Sequence, residues 1–146
     1  MIISGDNACL ACLLHNPSKV KEVLINKEKK SNYLKIIQKY NFIKNIRYID
    51  KKELQKIDKD NFRQSNDIII RREDYSSSSL DDICSSNREN SIIVALDQIT
   101  DHNNLGNIIR TCLLMGVNGI VIPEHSSAPI TGSTANTSAG AIELLK

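Results

Sequence analysis

The sequence predicts an α/β protein with a boundary near its middle, and three observations support this. Helical and strand patterns alternate along residues 1–72, as in a domain with helices packed on a small sheet. Residues 73–90 are serine-rich and acidic with little apolar content, which is typical of a linker. Residues 91–146 open with an apolar run and a helical pattern, which predicts a unit with a parallel sheet.

The first predicted domain contains three helices and three strands. Helices are predicted over residues 6–14, 31–40 and 50–57, and strands over 20–25, 46–49 and 67–70. Asp6 or Asn7, Ser31 and Asp50 provide the side-chain acceptors that favour a helix start. The last strand ends in Arg71 and Arg72.

The second predicted domain begins with the apolar residues 92–96, whose β-branched side chains indicate a strand buried on both faces. Residues 101–104 supply turn and helix-cap chemistry, and apolar residues recur at helical spacing from 105 to 113. A strand over 119–122 and a helix over 135–145 follow. Ligands of open α/β sheets bind at the carboxyl ends of strands, where this pattern places three residues: Asn104, Gly106 and Arg110.

Charge is distributed unevenly along the chain. Residues 1–72 carry 16 Lys/Arg against 8 Asp/Glu, whereas residues 73–146 carry 3 against 9. A basic half suggests a polyanionic partner, but a solvated lysine-rich surface explains the same counts equally well. Arg110 is the only Lys or Arg between Arg88 and Lys146, so it stands out in the acidic half.

Cys9 and Cys12 form a CxxC pair that invites a redox or zinc interpretation. No second CxxC or closely spaced histidine pair completes a zinc site, and no predicted strand precedes the motif. Core packing on a helix is the favoured interpretation, and no metal is expected. No apolar run is long enough for a membrane span, and the N-terminus lacks a signal-peptide pattern, which predicts a soluble cytoplasmic protein.

Several motifs in the second half carry a resemblance to a known family. They are Asp97, Asn104-Leu105-Gly106, Arg110-Thr111, Gly116-Val117, Ser127-Ala128, and Ser138-Ala139-Gly140-Ala141 with Glu143. At this spacing they resemble the start of the catalytic domain of SpoU-class RNA ribose 2′-O-methyltransferases. That class lies in the SPOUT superfamily, and the RlmB-like and TrmH-like branches are the most similar.

The first half resembles the family's substrate-binding domain, a small L30e-like α/β module. The matching positions are Gly5, Ala8, Leu13-Leu14, Asn16-Pro17 and Gln64. This resemblance implies RNA-binding roles for four residues: Arg63, Gln64, Arg71 and Arg72. The sequence also departs from the family, because Asn136 stands where a lysine is common and His102-Asn103 where Pro-His is usual.

The resemblance implies catalytic roles for Arg110, Asn104 and Glu143. A guanidinium suits bidentate phosphate binding but stays protonated, so phosphate-assisted deprotonation of a ribose hydroxyl is its expected role. Each residue also has a simpler interpretation. Arg110 could pair with Asp97 or Asp101, Asn104 could cap the helix, and Glu143 could be an exposed carboxylate.

The family uses S-adenosylmethionine, acts on RNA and forms homodimers. Its cofactor-binding segments are expected after Lys146, so the chain is expected to be a fragment or a truncated product. The first hypothesis is 2′-O-methylation of ribose in ribosomal RNA, with a 23S guanosine as the RlmB-like target. The alternative is a non-catalytic RNA-binding remnant. A phosphate-binding α/β domain is a third, although no GxGxxG or GxxxxGK[ST] motif follows the strand.

Overall fold

The computed structural model describes residues 1–29, 33, 37, 38, 43, 45–59, 67–84 and 91–146. Its helices are α1 (Asp6–His15), α2 (Lys51–Ile57), α3 (Leu80–Cys84), α4 (His102–Leu114) and α5 (Gly132–Thr137). Its strands are β1 (Ile2–Ile3), β2 (Val20–Asn26), β3 (Ile46–Ile49), β4 (Ile68–Arg72), β5 (Ile93–Ala95) and β6 (Gly119–Val121). Three 3₁₀ turns cover Pro17–Lys19, Lys27–Lys29 and Ala141–Glu143. Most of the helix predicted over residues 31–40 lies outside the described part.

The first half forms a four-stranded mixed sheet in the order β1-β4-β2-β3. β2 pairs with β3 in parallel and with β4 antiparallel, and β1 adds antiparallel to β4. Side chains of β4 alternate between two apolar clusters, with Ile68 and Ile70 on one face and Ile69 on the other. The predicted strands and the helices α1 and α2 are therefore confirmed, apart from small shifts at their ends.

The predicted helix caps in the first half are wrong. Gly5 is the N-cap of α1, and Asp6 instead accepts a hydrogen bond from the Asp67 backbone nitrogen at 3.1 Å. Asp50 is the N-cap residue of α2, but its side chain makes no cap hydrogen bond and pairs with Lys27 at 2.7 Å. Both carboxylates are used in contacts between segments distant in sequence, which a local cap rule cannot anticipate.

The packing interpretation of the CxxC pair is confirmed. Cys9 and Cys12 lie on the buried face of α1, fully excluded from solvent, and both are free thiols. The Cys9 thiol donates to the Ile3 carbonyl oxygen at 3.4 Å. Burial raises the pKa of the Cys9 thiol well above its ordinary value, so it behaves as a small apolar side chain.

The second half contains the parallel pair β5–β6, covered by α4, with Ile93 opposite Gly119. The expectation that residues 92–96 are buried on both faces is wrong. Ile93 and Val94 are only partly buried, and Ile92 is 53% exposed. Within the described residues β5 has β6 as its single neighbour, so this small sheet cannot cover both of its faces.

The helix predicted over residues 135–145 is broken. α5 ends at Thr137, and the chain then passes through Ala139 and Gly140, with φ of 52° and 85°, into the 3₁₀ turn. Gly140 lies against α1, where an added Cβ would come within 2.5 Å of the Ala11 Cβ. Contact with α1 and the left-handed glycine thus redirect the chain and turn Glu143 toward the first half.

The predicted linker contains regular structure. α3 lies within it, and Ile83 of α3 is buried against β6, because a Cβ on Gly119 would come within 2.6 Å of the Ile83 Cγ2. Residues 76–79 before α3 are exposed. The division into domains 1–72 and 91–146 stays a prediction.

Candidate functional site

The N-terminus of α4 is capped by Asp101. Its Oδ1 accepts a hydrogen bond from the backbone nitrogen of Asn104 at 2.8 Å. Asn104 is thus the third residue of the helix, and the interpretation of Asn104 as the cap is wrong. Its side chain is exposed and forms no hydrogen bond within the described part of the chain.

Arg110 lies later in α4 and is also exposed. Neither Asp97 nor Asp101 forms an ion pair with it among the described residues, so the simpler interpretation of Arg110 finds no support. A separation of six residues places Arg110 and Asn104 about 120° apart around the helix axis. Arg110 therefore presents a guanidinium that is available to an external anion.

Gly106 permits a close contact between α4 and α5. A Cβ on Gly106 would come within 2.7 Å of the Thr137 Cβ and 3.1 Å of the Ser138 nitrogen. On the preceding turn, the Thr137 hydroxyl donates to Asn103 Oδ1 at 3.1 Å. The motif glycine therefore fixes the helix that carries Arg110 against the segment that leads to Glu143.

Glu143 is buried, and its side chain has no exposed surface. Its Oε1 pairs with the Arg72 guanidinium and accepts a hydrogen bond from the Tyr75 hydroxyl. Its Oε2 accepts from Asn16 Nδ2 at 2.8 Å, and the same Nδ2 reaches the Glu143 carbonyl oxygen at 2.8 Å. The interpretation of Glu143 as an exposed carboxylate is therefore wrong.

Arg72 occupies the centre of this contact. Its side chain is only 4% exposed, its Nε donates to the Glu73 carbonyl oxygen at 2.9 Å, and its guanidinium lies 3.8 Å from the centre of the Tyr75 ring. Burial opposes the charge, but Tyr75 and Glu143 outweigh it and raise the pKa of Arg72. Burial and the Glu143 carboxylate also raise the pKa of the Tyr75 hydroxyl. Glu143 therefore faces a guanidinium that stays charged and a phenol that stays protonated.

The two predicted RNA-binding arginines of β4 point in opposite directions. Arg71 is half exposed and lies 3.4 Å from Glu22, whereas Arg72 is enclosed. Arg63 and Gln64, the other two predicted RNA-binding residues, lie outside the described residues. Only Arg71 is presented to solvent among the predicted residues that the structure describes.

The three predicted catalytic residues are not brought into mutual contact. Among the described residues, Asn104, Arg110 and Glu143 form no hydrogen bond or ion pair with one another. Sequence reasoning also missed Tyr75. The only aromatic residue in an otherwise serine-rich segment is a signal that could have indicated an anchor.

A cavity of about 360 Å³ lies beside the Glu143 carboxylate. Its aliphatic wall comes from the second half, with Leu105, Ile109, Ile120, Ile122, Ile130 and Ile142. Its polar wall includes Lys19, Arg72, Asp74 and Tyr75. Most of these polar groups are already paired: Lys19 contacts Glu73 at 3.0 Å, and Asp74 contacts the N-terminal amine at 2.9 Å.

Two searches of the described residues gave negative results. No group of three or more His, Cys, Asp or Glu side chains is arranged to hold a metal ion. Among the helices of the described ranges, none combines the length and apolar character needed to cross a bilayer.

Comparison with known proteins gives the class of this site. Residues 91–146 match the SpoU rRNA Methylase family. The 23S rRNA (guanosine-2′-O-)-methyltransferase RlmB of Haemophilus influenzae is 26% identical over 97% of this chain and 58% of its own length. RlmB of Acinetobacter baylyi is 38% identical over 41% of this chain and 24% of its own length.

Solved structures share the fold. The SpoU methyltransferase AviRb from Streptomyces viridochromogenes, in complex with AdoMet, superposes with a TM-score of 0.73 at 18% identity, covering 99% of this chain and 53% of its own. An rRNA methyltransferase from Sinorhizobium meliloti gives a TM-score of 0.73 at 20% identity, covering 99% and 52%. This chain therefore spans about half the length of these structures.

The fold and the α4 motif define an α/β protein of the RNA methyltransferase class. The second half of the chain belongs to the SpoU rRNA Methylase family.

Proposed function

We propose that the protein takes part in S-adenosylmethionine-dependent 2′-O-methylation of ribose in RNA, with α4 facing the reacting nucleotide. The observation that carries the proposal is Arg110, an exposed guanidinium without an ion pair among the described residues, on a helix that matches the family motif. The loop before α4 leads from the carboxyl end of β5, which is where α/β sheets place their ligands.

Arg110 is proposed to bind the phosphate next to the reacting ribose. Its planar fork can hold two phosphate oxygens and orient the 2′-hydroxyl, whose proton passes to the phosphate as the oxygen becomes nucleophilic. A guanidinium cannot itself accept that proton. Asn104, exposed one turn after the Asp101 cap, is proposed to orient the RNA. Glu143 is proposed as the third member of the site.

The described residues do not form a site for the methyl donor. The cavity beside Glu143 is large enough for a small molecule, but its second-half wall is aliphatic. The Glu143 carboxylate at its polar end is already engaged by Arg72, Tyr75 and Asn16. We therefore assign no step of the reaction to groups that would contact the donor.

The finer substrate assignment rests on the relatives. RlmB proteins are named as 23S rRNA guanosine methyltransferases, which supports ribosomal RNA, and a 23S guanosine, as the proposed target. Residues 1–72, with Arg71 exposed on β4, are proposed as the RNA-binding part, together with Arg63 and Gln64. A homodimer and a cytoplasmic location complete the proposal.

A second candidate is an RNA-binding protein without methyltransferase activity. The observation in its favour is that the proposed catalytic Glu143 is enclosed and does not meet Asn104 or Arg110.

Transfer of a labelled methyl group from S-adenosylmethionine to ribosomal RNA separates the two candidates. Arg110→Ala should lower transfer by about 100-fold or more, and Arg110→Lys should restore little, since an ammonium lacks the planar fork. Asn107→Ala, a change at another exposed position of α4, is the matched control and should retain activity. RNA binding without any transfer by the unaltered protein favours the second candidate, and full activity of Arg110→Ala removes Arg110 from the site.

A further inference from the structure

The contact around Glu143 joins parts of the chain that are far apart in sequence. Glu143 comes from the second half, Arg72 ends the last strand of the first sheet, and Tyr75 belongs to the following segment. Asn16 is the C-cap residue of α1. Both carboxylate oxygens are thus occupied by donors from outside the second half.

This arrangement satisfies the carboxylate completely. A buried charge is tolerated only when opposite charge and hydrogen bonds replace the lost water, and here one guanidinium, one phenol and one amide do so. With no exposed side-chain surface, Glu143 cannot contact a ribose in this arrangement. Arg72 is likewise withheld from solvent, although the adjacent Arg71 is half exposed.

We propose that Arg72, Tyr75 and Asn16 form an inhibitory clasp that holds the Glu143 carboxylate away from the RNA-facing surface of α4. The clasp must open before Glu143 can act with Arg110, so the first half controls the state of the site. This inference rests on the proposed function, because Glu143 needs release only if it serves methyl transfer.

The thiol of Cys12 reports directly on the clasp. It is fully buried on α1, and its Sγ lies 3.9 Å from Arg72 Nη1. While the clasp is closed a thiol reagent cannot reach it. Separation of Glu143 and Arg72 removes part of its cover, so the rate of labelling follows the fraction of open molecules.

The experiment combines two measurements on the protein in a Cys84→Ser background, which removes the exposed cysteine. The first is the labelling rate of Cys12, resolved from Cys9 and Cys112 by peptide mass spectrometry. The second is methyl transfer to ribosomal RNA. Tyr75→Phe removes one hydrogen bond to a charged group and should accelerate Cys12 labelling roughly tenfold, with a rise in transfer of similar size.

Matched variants control for general effects. Arg72→Met breaks the ion pair and should also accelerate labelling, whereas Arg71→Met alters the neighbouring exposed arginine and should not. Tyr48→Phe is the control for Tyr75→Phe and lies on β3. Leu54→Ala weakens the apolar cluster that excludes α1 and shows how far loss of stability alone accelerates labelling.

The outcomes are distinct. Faster labelling together with faster transfer in Tyr75→Phe, beyond the effect of Leu54→Ala, supports the clasp. Faster labelling with unchanged or lower transfer overturns inhibition and makes Tyr75 a residue that merely supports the fold. Labelling of Tyr75→Phe and Arg72→Met at the unaltered rate overturns the clasp while leaving the proposed function intact. Absence of transfer in every variant, the unaltered protein included, refutes the proposed function and the inhibitory role with it.

Discussion

The side-chain oxygen of Asn136 accepts a hydrogen bond from the backbone nitrogen of Gly5 at 3.0 Å, which ties α5 to the start of α1. The same oxygen accepts from the Ser4 nitrogen at 3.2 Å, and Asn136 Nδ2 donates to the Ser4 hydroxyl at 3.1 Å. The family resemblance places a lysine at this position, and an ammonium has no acceptor for these two backbone groups. The asparagine is therefore suited to this contact in a way that the usual residue is not.

Asn136→Ala should lower the free energy of unfolding by about 1–3 kcal/mol, because backbone donors of Ser4 and Gly5 lose their acceptor. Asn136→Lys should cost at least as much. Urea unfolding measures both changes. Asn107→Ala, at an exposed position of α4, is the control and should change the stability little. A harmless Asn136→Ala would show that the two halves are not held together at this point.

Gly132→Ala should destabilise the protein by about 3 kcal/mol or more, because overpacking against backbone cannot be relieved by a rotamer change. The added Cβ would come within 1.8 Å of the Ile2 carbonyl oxygen. Gly116→Ala is the matched control. There the φ of +75° is unfavourable for alanine but nothing lies within 4 Å, so a cost of about 1 kcal/mol is expected. Equal midpoints of urea unfolding for the two variants would contradict the tight contact between β1 and α5.

Stability should fall as the pH rises above about 9, partly because of Cys12. Burial and the Glu143 carboxylate raise the pKa of this thiol from 9.0 to about 12. The unfolded chain therefore releases the proton first, so the stabilisation is complete below the unfolded pKa and is lost as pH rises toward the folded one. Cys12→Ser should flatten the dependence of the unfolding free energy on pH between 9 and 11, by at most about 1.4 kcal/mol per pH unit. An unchanged slope would exclude Cys12 as the titrating group.

RNA affinity should decrease with salt and respond to the pairing of Arg71. Glu22 lies 3.4 Å from Arg71 and 3.5 Å from Arg47, so it competes with phosphate for both guanidinium groups. Glu22→Gln should strengthen binding of ribosomal RNA, while Arg71→Met should weaken it and reduce the slope of log affinity against log salt by about one. Titrations across a salt series measure both effects. Opposite signs, or no change in slope for Arg71→Met, would place the RNA elsewhere.

Local patterns predicted most helices and strands because each depends on the periodicity of a few neighbouring residues, as in β3 and α4. Contacts between distant residues were beyond such reasoning. The pairing of Arg72 with Glu143 spans 71 positions, and the same arginine read by itself resembles a surface cation. The α4 motif was recognisable, yet the enclosure of Glu143 depends on the turn at Gly140, which exists because α1 approaches there.

Burial of Ile83 against Gly119 also affects how the halves find one another. A tether without anchors lets its ends wander, and the entropy of closing it grows with its length. Fixing α3 on β6 divides the connection between β4 and β5 into two shorter spans. The two halves then meet at a high effective concentration, which favours rapid reclosure after any transient separation.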